Sequence, residues 1–131
     1  MTTLCNSAYI DRFRETSVLL DVARANAVFM LHPTYISPEA AEKDKRSQRL
    51  MPSARGGSLD GRPVLICDVL PDGKVQVCFL DGTHRFCAMR DTGYRICLAD
   101  TTERCAEIAK RCGLTVECKQ GARPCHCQSD D

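Results

Sequence analysis

The stretch PVLICDVLPDGKVQVCFLDGTHRFCAMRDTGYRICLAD, residues 63–100, decides the fold. PVLICDVL (63–70) is an apolar, β-branched run and reads as a strand. Pro71-Asp72-Gly73 is a tight turn of the hairpin kind. KVQVCFL (74–80) then returns as an antiparallel partner. Asp81 to Thr92 reads as a helix, stopped by Gly93, and YRICLAD (94–100) as a third strand. A strand that follows such a helix can return beside the first by a right-handed crossover. The expected class is α/β of the α+β kind: a small mixed sheet, a central β-hairpin and flanking helices.

Working outward, NSAYIDRFRE (6–15) reads as a short polar helix or lead-in, and SVLLDV (17–22) as a strand. ARANAVFML (23–31) suits helix or strand until His32-Pro33 ends it, because the residue before proline is pushed out of the helical region. Ser37-Pro38-Glu39 is a helix start: a cap, a proline at the first helical position and an acid in the first turn. AAEKDKRSQR continues that helix. Its Lys43, Lys45, Arg46 and Arg49 form a basic stripe, ordinarily a solvated face, which could also meet a nucleic acid or an acidic partner. MPSARGGSLDG (51–61) has loop composition. Beyond the decisive stretch, Asp100 is placed to cap a helix over TTERCAEIAKRC, with Glu103 reaching back and Gly113 closing it. LTVEC (114–118) reads as a last short strand. The expectation is one domain over 1–118, followed by a polar, disordered, cysteine-containing tail over 119–131.

Composition narrows the class. The chain has 131 residues, 44% apolar and 27% charged, which suits a single globular core. Eighteen basic and 17 acidic side chains leave a net charge of +1, so there is no general attraction for nucleic acid. No apolar run approaches the ~18 residues of a membrane span. MTTLCNSAYIDRFRE shows no basic-then-apolar leader. The expectation is therefore a cytoplasmic protein with no membrane partner. A reducing cytosol keeps thiols free, so the ten cysteines are not read as a disulfide framework. Cys67, Cys78 and Cys97 lie in strand-like runs, where a free thiol behaves as a small buried hydrophobe.

The candidate site is Asp81-Gly82-Thr83-His84-Arg85. The first turn of a helix carries backbone N–H groups without intrahelical partners, and the aligned peptide dipoles add partial positive charge. Gly82 would let a ligand approach the backbone. Thr83 would donate from its hydroxyl. Arg85 supplies a fork suited to phosphate, and His84 a donor that can also carry a proton. Together these describe a phosphate site. A bland alternative has Asp81 or Thr83 merely capping the helix.

The same residues carry a resemblance. Asp81, Gly82, His84 and Arg85 fit the form D-G-x-H-R that opens a helix in the ParB/sulfiredoxin-like superfamily. Ala88, Gly93 and the following strand fit its continuation. The match covers about a third of the chain. It implies a compact α/β fold that binds a nucleoside triphosphate such as ATP or CTP, with the phosphates at Gly82, Thr83, His84 and Arg85. Members differ in activity: DNA partitioning, sulfinic-acid reduction, serine phosphorylation and reported nuclease action. Phosphoryl transfer or phosphodiester cleavage, with His84 and Asp81 as catalytic candidates, is compatible with the family but not selected by fold. Sulfiredoxins place a reactive cysteine where this chain has Thr83, so that chemistry is not expected here. Cys87, one turn on, is read as a packing residue.

Asp68, Asp72, Asp81 and Asp100 are placed at strand ends and turns, where a carboxylate could hold Mg²⁺ or act as a base. Asp81 adjoins the phosphate site. Cys105, Cys112, Cys118, Cys125, His126 and Cys127 crowd the C-terminal quarter, but their loose spacings disfavour zinc. Cys105 and Cys112, seven apart on one helix, should share a face. The rival to a ligand-binding protein is a non-catalytic protein-binding module on the same scaffold, for example an inhibitor encoded by a phage or mobile element.

Overall fold

The computed structural model describes residues 10–57, 59, 61–117 and 127–128. In chain order its elements are β1 (Thr16–Asp21), α1 (Val22–Phe29), α2 (Pro38–Glu42), α3 (Lys45–Arg55), β2 (Val64–Val69), β3 (Val75–Asp81), α4 (Thr83–Asp91), β4 (Tyr94–Thr101), α5 (Glu103–Arg111) and β5 (Cys127–Gln128). The sheet runs β1-β4-β2-β3, with β5 on β4. β1 and β3 pair antiparallel with their neighbours, and β4 lies parallel to β2 through Val64 and Asp100. The mixed sheet, the hairpin and the return of β4 beside β2 agree with the reading of residues 63–100.

Local chemistry explains the agreement. In the hairpin turn Gly73 takes φ +88°, Lys74 N–H bonds the Asp72 carboxylate at 2.9 Å, and Leu70 and Gly73 exchange turn bonds with their neighbours. α2 starts as its cap requires, with Ser37 accepting from Ala40 N–H. ARANAVFML resolves as helix because Asp21 caps it through Arg24 N–H and Phe29 enters the core fully buried.

Several expectations are corrected. The helix read over 40–49 is two helices. Asp44 breaks it, since its carboxylate accepts from Ser47 N–H and so caps α3 as a new start. α3 then runs through Met51 and Pro52 to Arg55, into the stretch read as loop. An interior proline ordinarily costs a helix about 3 kcal/mol. Here the turn beyond it is anchored, with Ala54 fully buried and its carbonyl accepting from the Tyr94 hydroxyl at 3.0 Å. The cap of α5 is Thr102, not Asp100. Asp100 stays in β4 and pairs with Arg14 and Arg62. Of LTVEC, the described residues 114–117 make one isolated bridge, Thr115 to Leu20. Two residues of the tail read as disordered, Cys127 and Gln128, pair with β4. Cys118, Cys125 and His126 lie outside the described residues.

β2 meets β4 through one backbone bridge, and side chains satisfy further carbonyls along β2. Pro63 C=O accepts from Asp100 N–H, Leu65 C=O from the Thr101 hydroxyl at 2.7 Å, and Cys67 C=O from the Cys105 thiol at 3.3 Å. The same sulfur accepts from Cys67 N–H. Buried backbone groups need such partners, so Cys105 has a structural task on β2. It is buried while Cys112 is exposed, so the two do not share an environment.

Gly82 joins β3 to α4 at φ +80°. An added Cβ would stand 2.7 Å from Pro63 Cα, whereas none would meet anything within 4 Å at Gly73. Both sites tax a non-glycine residue for its left-handed backbone, but only Gly82 adds a collision with the start of β2. Gly73→Ala is expected to destabilise by about 1 kcal/mol and Gly82→Ala by about 3 kcal/mol. Urea denaturation of the two variants checks the difference.

A candidate anion cleft between two helices

α4 is capped by Gly82, which has no side chain to bond the helix's first turn. The first helical bond runs from Phe86 N–H to Gly82 C=O. Phe86, Cys87, Ala88 and Met89 are fully buried and hold this helix against the core. α3 packs along it. Between them lies a cleft of about 310 Å³, lined by Arg46, Arg49, Leu50, Asp81, Gly82, His84 and Arg85. Among the described residues, three arginines and one carboxylate line it. Arg46 and Arg49 share a face of α3 because they are three residues apart. The basic stripe therefore divides: these two join the site, while Lys43 and Lys45 do not line it.

His84 is held rather than loose. Its Nδ1 lies 2.8 Å from Asp44 Oδ2 and 3.2 Å from Ser47 Oγ. Asp44 Oδ2 also accepts from Ser47 N–H at 3.0 Å and Ser47 Oγ at 2.8 Å. The Ser47 backbone N–H and hydroxyl, with His84 beside them, keep the Asp44 carboxyl below the usual range. With Nδ1 engaged, Nε2 is the ring nitrogen left to serve the cleft. The Asp44-x-x-Ser47 spacing was a visible capping signal, but reading 40–49 as one helix concealed it.

Each remaining site residue has a definite place. Asp81 lines the cleft and pairs with Arg14 at 3.3 Å. Arg85 lines it half-buried, with its guanidinium against Gly61, where a Cβ would come within 3.0 Å of Nε. Gly82 lines it too, but Pro63 fills the space where a side chain would stand, so packing already demands glycine there. Thr83 does not line the cleft: its hydroxyl donates back to Phe79 C=O at 3.3 Å, in place of the expected bond to a ligand.

No match was found among protein-family models, curated proteins or solved structures.

Asp68 and Asp72 are corrected as neighbours of the site. They sit toward the hairpin turn, and Asp68 is four residues along β2 from Val64, the partner of Asp81, roughly 13 Å away at strand spacing. Asp72 serves the turn, and Asp68 lies 3.8 Å from Arg104. Asp100 is committed to Arg14 and Arg62. Among the described residues no cluster of three His, Cys, Asp or Glu side chains is arranged for a metal. Burial raises the Cys87 thiol to about 11 despite nearby Arg90, so it is a packing residue with little thiolate at neutral pH. A larger groove of about 440 Å³ lies beside β1 and α5, but Glu103, Glu107 and Glu117 outnumber Lys110 there, which suits no anion. Among the described residues no helix is long and apolar enough to cross a membrane.

Proposed function

We propose that the cleft between α3 and α4 binds a phosphate-bearing ligand of the nucleotide class. One observation carries this reading: arginines from two helices converge at the N-terminus of α4, where the cap residue is a glycine. Guanidinium groups and the positive end of a helix dipole favour the same guest, an oxyanion with several acceptor oxygens. The resemblance of Asp81-Gly82-Thr83-His84-Arg85 to the ParB/sulfiredoxin-like motif supports a nucleoside triphosphate, ATP or CTP, as that guest. His84, steadied by Asp44, can donate to a phosphate oxygen or move a proton. Asp81 is the single carboxylate among the described lining residues, and Mg²⁺ would arrive on the ligand's phosphates. Binding is better supported than phosphoryl transfer or nuclease action.

Calorimetry and thermal shift with ATP, CTP and pyrophosphate, each with and without Mg²⁺, test the proposal. At a ligand concentration one hundred times Kd, binding should stabilise the fold by about 2.7 kcal/mol. The Arg46→Ala/Arg49→Ala pair sits on exposed positions. It should fold normally and weaken binding about a hundredfold, at roughly 1–2 kcal/mol per charged contact. Silence from every nucleotide and phosphate would reject this reading in favour of a protein-binding module.

A further inference from the structure

Arg14 lies outside the cleft, on no element named above. Two turn bonds place it, Phe13 N–H to Ile10 C=O and Arg14 N–H to Asp11 C=O. Its guanidinium bridges two strand ends. Nη1 is 2.7 Å from Asp100 Oδ2, and Nη2 is 3.3 Å from Asp81 Oδ2. Nη1 also meets Arg62 C=O at 3.3 Å. Asp100 has a second cation, Arg62, at 3.0 Å. Among the described residues Asp81 pairs with Arg14 alone, and it is the carboxylate of theirs that lines the cleft.

We infer that Arg14 sets the anion affinity of the cleft by acting as the counter-ion of Asp81. The inference rests on the reading of the cleft as an anion site. Without Arg14, Asp81 would do two things to an incoming phosphate. It would repel the phosphate directly, and it would be released to pair with a cleft arginine that the ligand needs. With Arg14 in place, its charge is answered from outside, and Arg46 and Arg49 keep their field. Arg14 is thus a positioning residue that touches no ligand. Asp100 gives it a fixed mount, being mostly buried and held on its other side by Arg62.

The test is calorimetric binding of inorganic pyrophosphate to the full chain. Arg14→Ala should bind about tenfold more weakly, the size expected for one unanswered charge near a partly solvated site. That loss should shrink in high salt. Asp81→Asn should bind as tightly as wild type or tighter. The double variant should return to within about twofold of Asp81→Asn. A purely structural role for Arg14 would leave the double variant as weak as Arg14→Ala, and that result, or wild-type affinity in Arg14→Ala, overturns the inference. If loss of Arg14 unfolds the chain through Asp100, the comparison is made in an Asp100→Asn background, which removes that charge. A wild-type chain that binds no pyrophosphate overturns the cleft reading itself and this inference with it. Binding that ignores Arg14 overturns the inference alone.

Discussion

Phe86→Ala should destabilise the protein by about 4 kcal/mol, the upper range for removing a buried aromatic side chain. Phe86 is fully buried. Its ring stacks on Phe79 at 4.4 Å and 27° and meets the edge of Phe29 at 6.1 Å. Phe29 in turn makes edge contacts with Phe79 and Tyr35. Four aromatic rings from α1, β3, α4 and the 30–37 connection therefore converge in one place. Truncation removes the transfer energy of a ring and leaves a cavity among rigid neighbours that cannot collapse to fill it. The loss is a large share of the ~5–15 kcal/mol that holds a domain of this size. Phe86 also follows Arg85 in the first turn of α4, so the ring under the core side anchors the turn that presents His84 and Arg85 to the cleft. Phe86→Leu, which keeps most of the volume, should lose only about 1–2 kcal/mol. Urea midpoints with unchanged slopes measure both. A loss below about 1 kcal/mol for Phe86→Ala would show that the aromatic cluster is not the centre of the core.

The parts of this structure that were legible in the sequence are those whose causes are local. Asp72-Gly73 makes its own turn, Ser37-Pro38 its own cap, and Gly93 and Gly113 leave their helices at φ +91° and +74°. The hairpin, α4 and β4 follow from such signals. Where two local signals compete, tertiary contacts decide. Asp100 and Thr102 can each cap a helix. Asp100 is drawn into ion pairs with Arg14 and Arg62, which leaves the cap to Thr102. Pro52 argues for a break, but the buried Ala54 and the Tyr94 hydroxyl, forty residues away, hold the helix. The candidate site divides in the same manner. Gly82, His84 and Arg85 are neighbours in sequence and were found together. Asp44, Arg46, Arg49 and Arg14 come from elsewhere in the chain, and only the packing of α3 on α4 and the mount on Asp100 bring them in. Arg90 shows the same limit. Its guanidinium is almost wholly buried, paired with Asp91 and bonded to Ile36 C=O at 2.7 Å, which pins the 30–37 connection to α4, and nothing in its sequence neighbourhood announces that partner.

Raising the pH should unfold the protein through its buried thiols. Burial pushes Cys67 and Cys97 up to about 12, Cys67 with help from neighbouring Cys105, and Cys87 up to about 11. All three side chains are fully buried. An unfolded thiol ionises near 9.0, so between that value and the folded ones the unfolded chain sheds protons that the folded chain keeps. The sign is therefore fixed: this stabilisation is whole below pH 9 and is lost as pH climbs toward 11–12. One pH unit per thiol is about 1.36 kcal/mol. Three thiols give a loss of about 3–4 kcal/mol per unit around pH 10.5, and roughly 6 kcal/mol in total by then. That is comparable to the stability of a whole small domain. Urea melts from pH 8 to 11 should show the slope, and Cys97→Ala should remove about a third of it. Pulsed alkylation resolves the residues. Exposed Cys112 should react throughout, while Cys67, Cys87 and Cys97 should be protected at pH 8 and label together above pH 10. Labelling of Cys87 alone at neutral pH would instead identify it as a reactive thiol and contradict its burial in the core beneath the cleft.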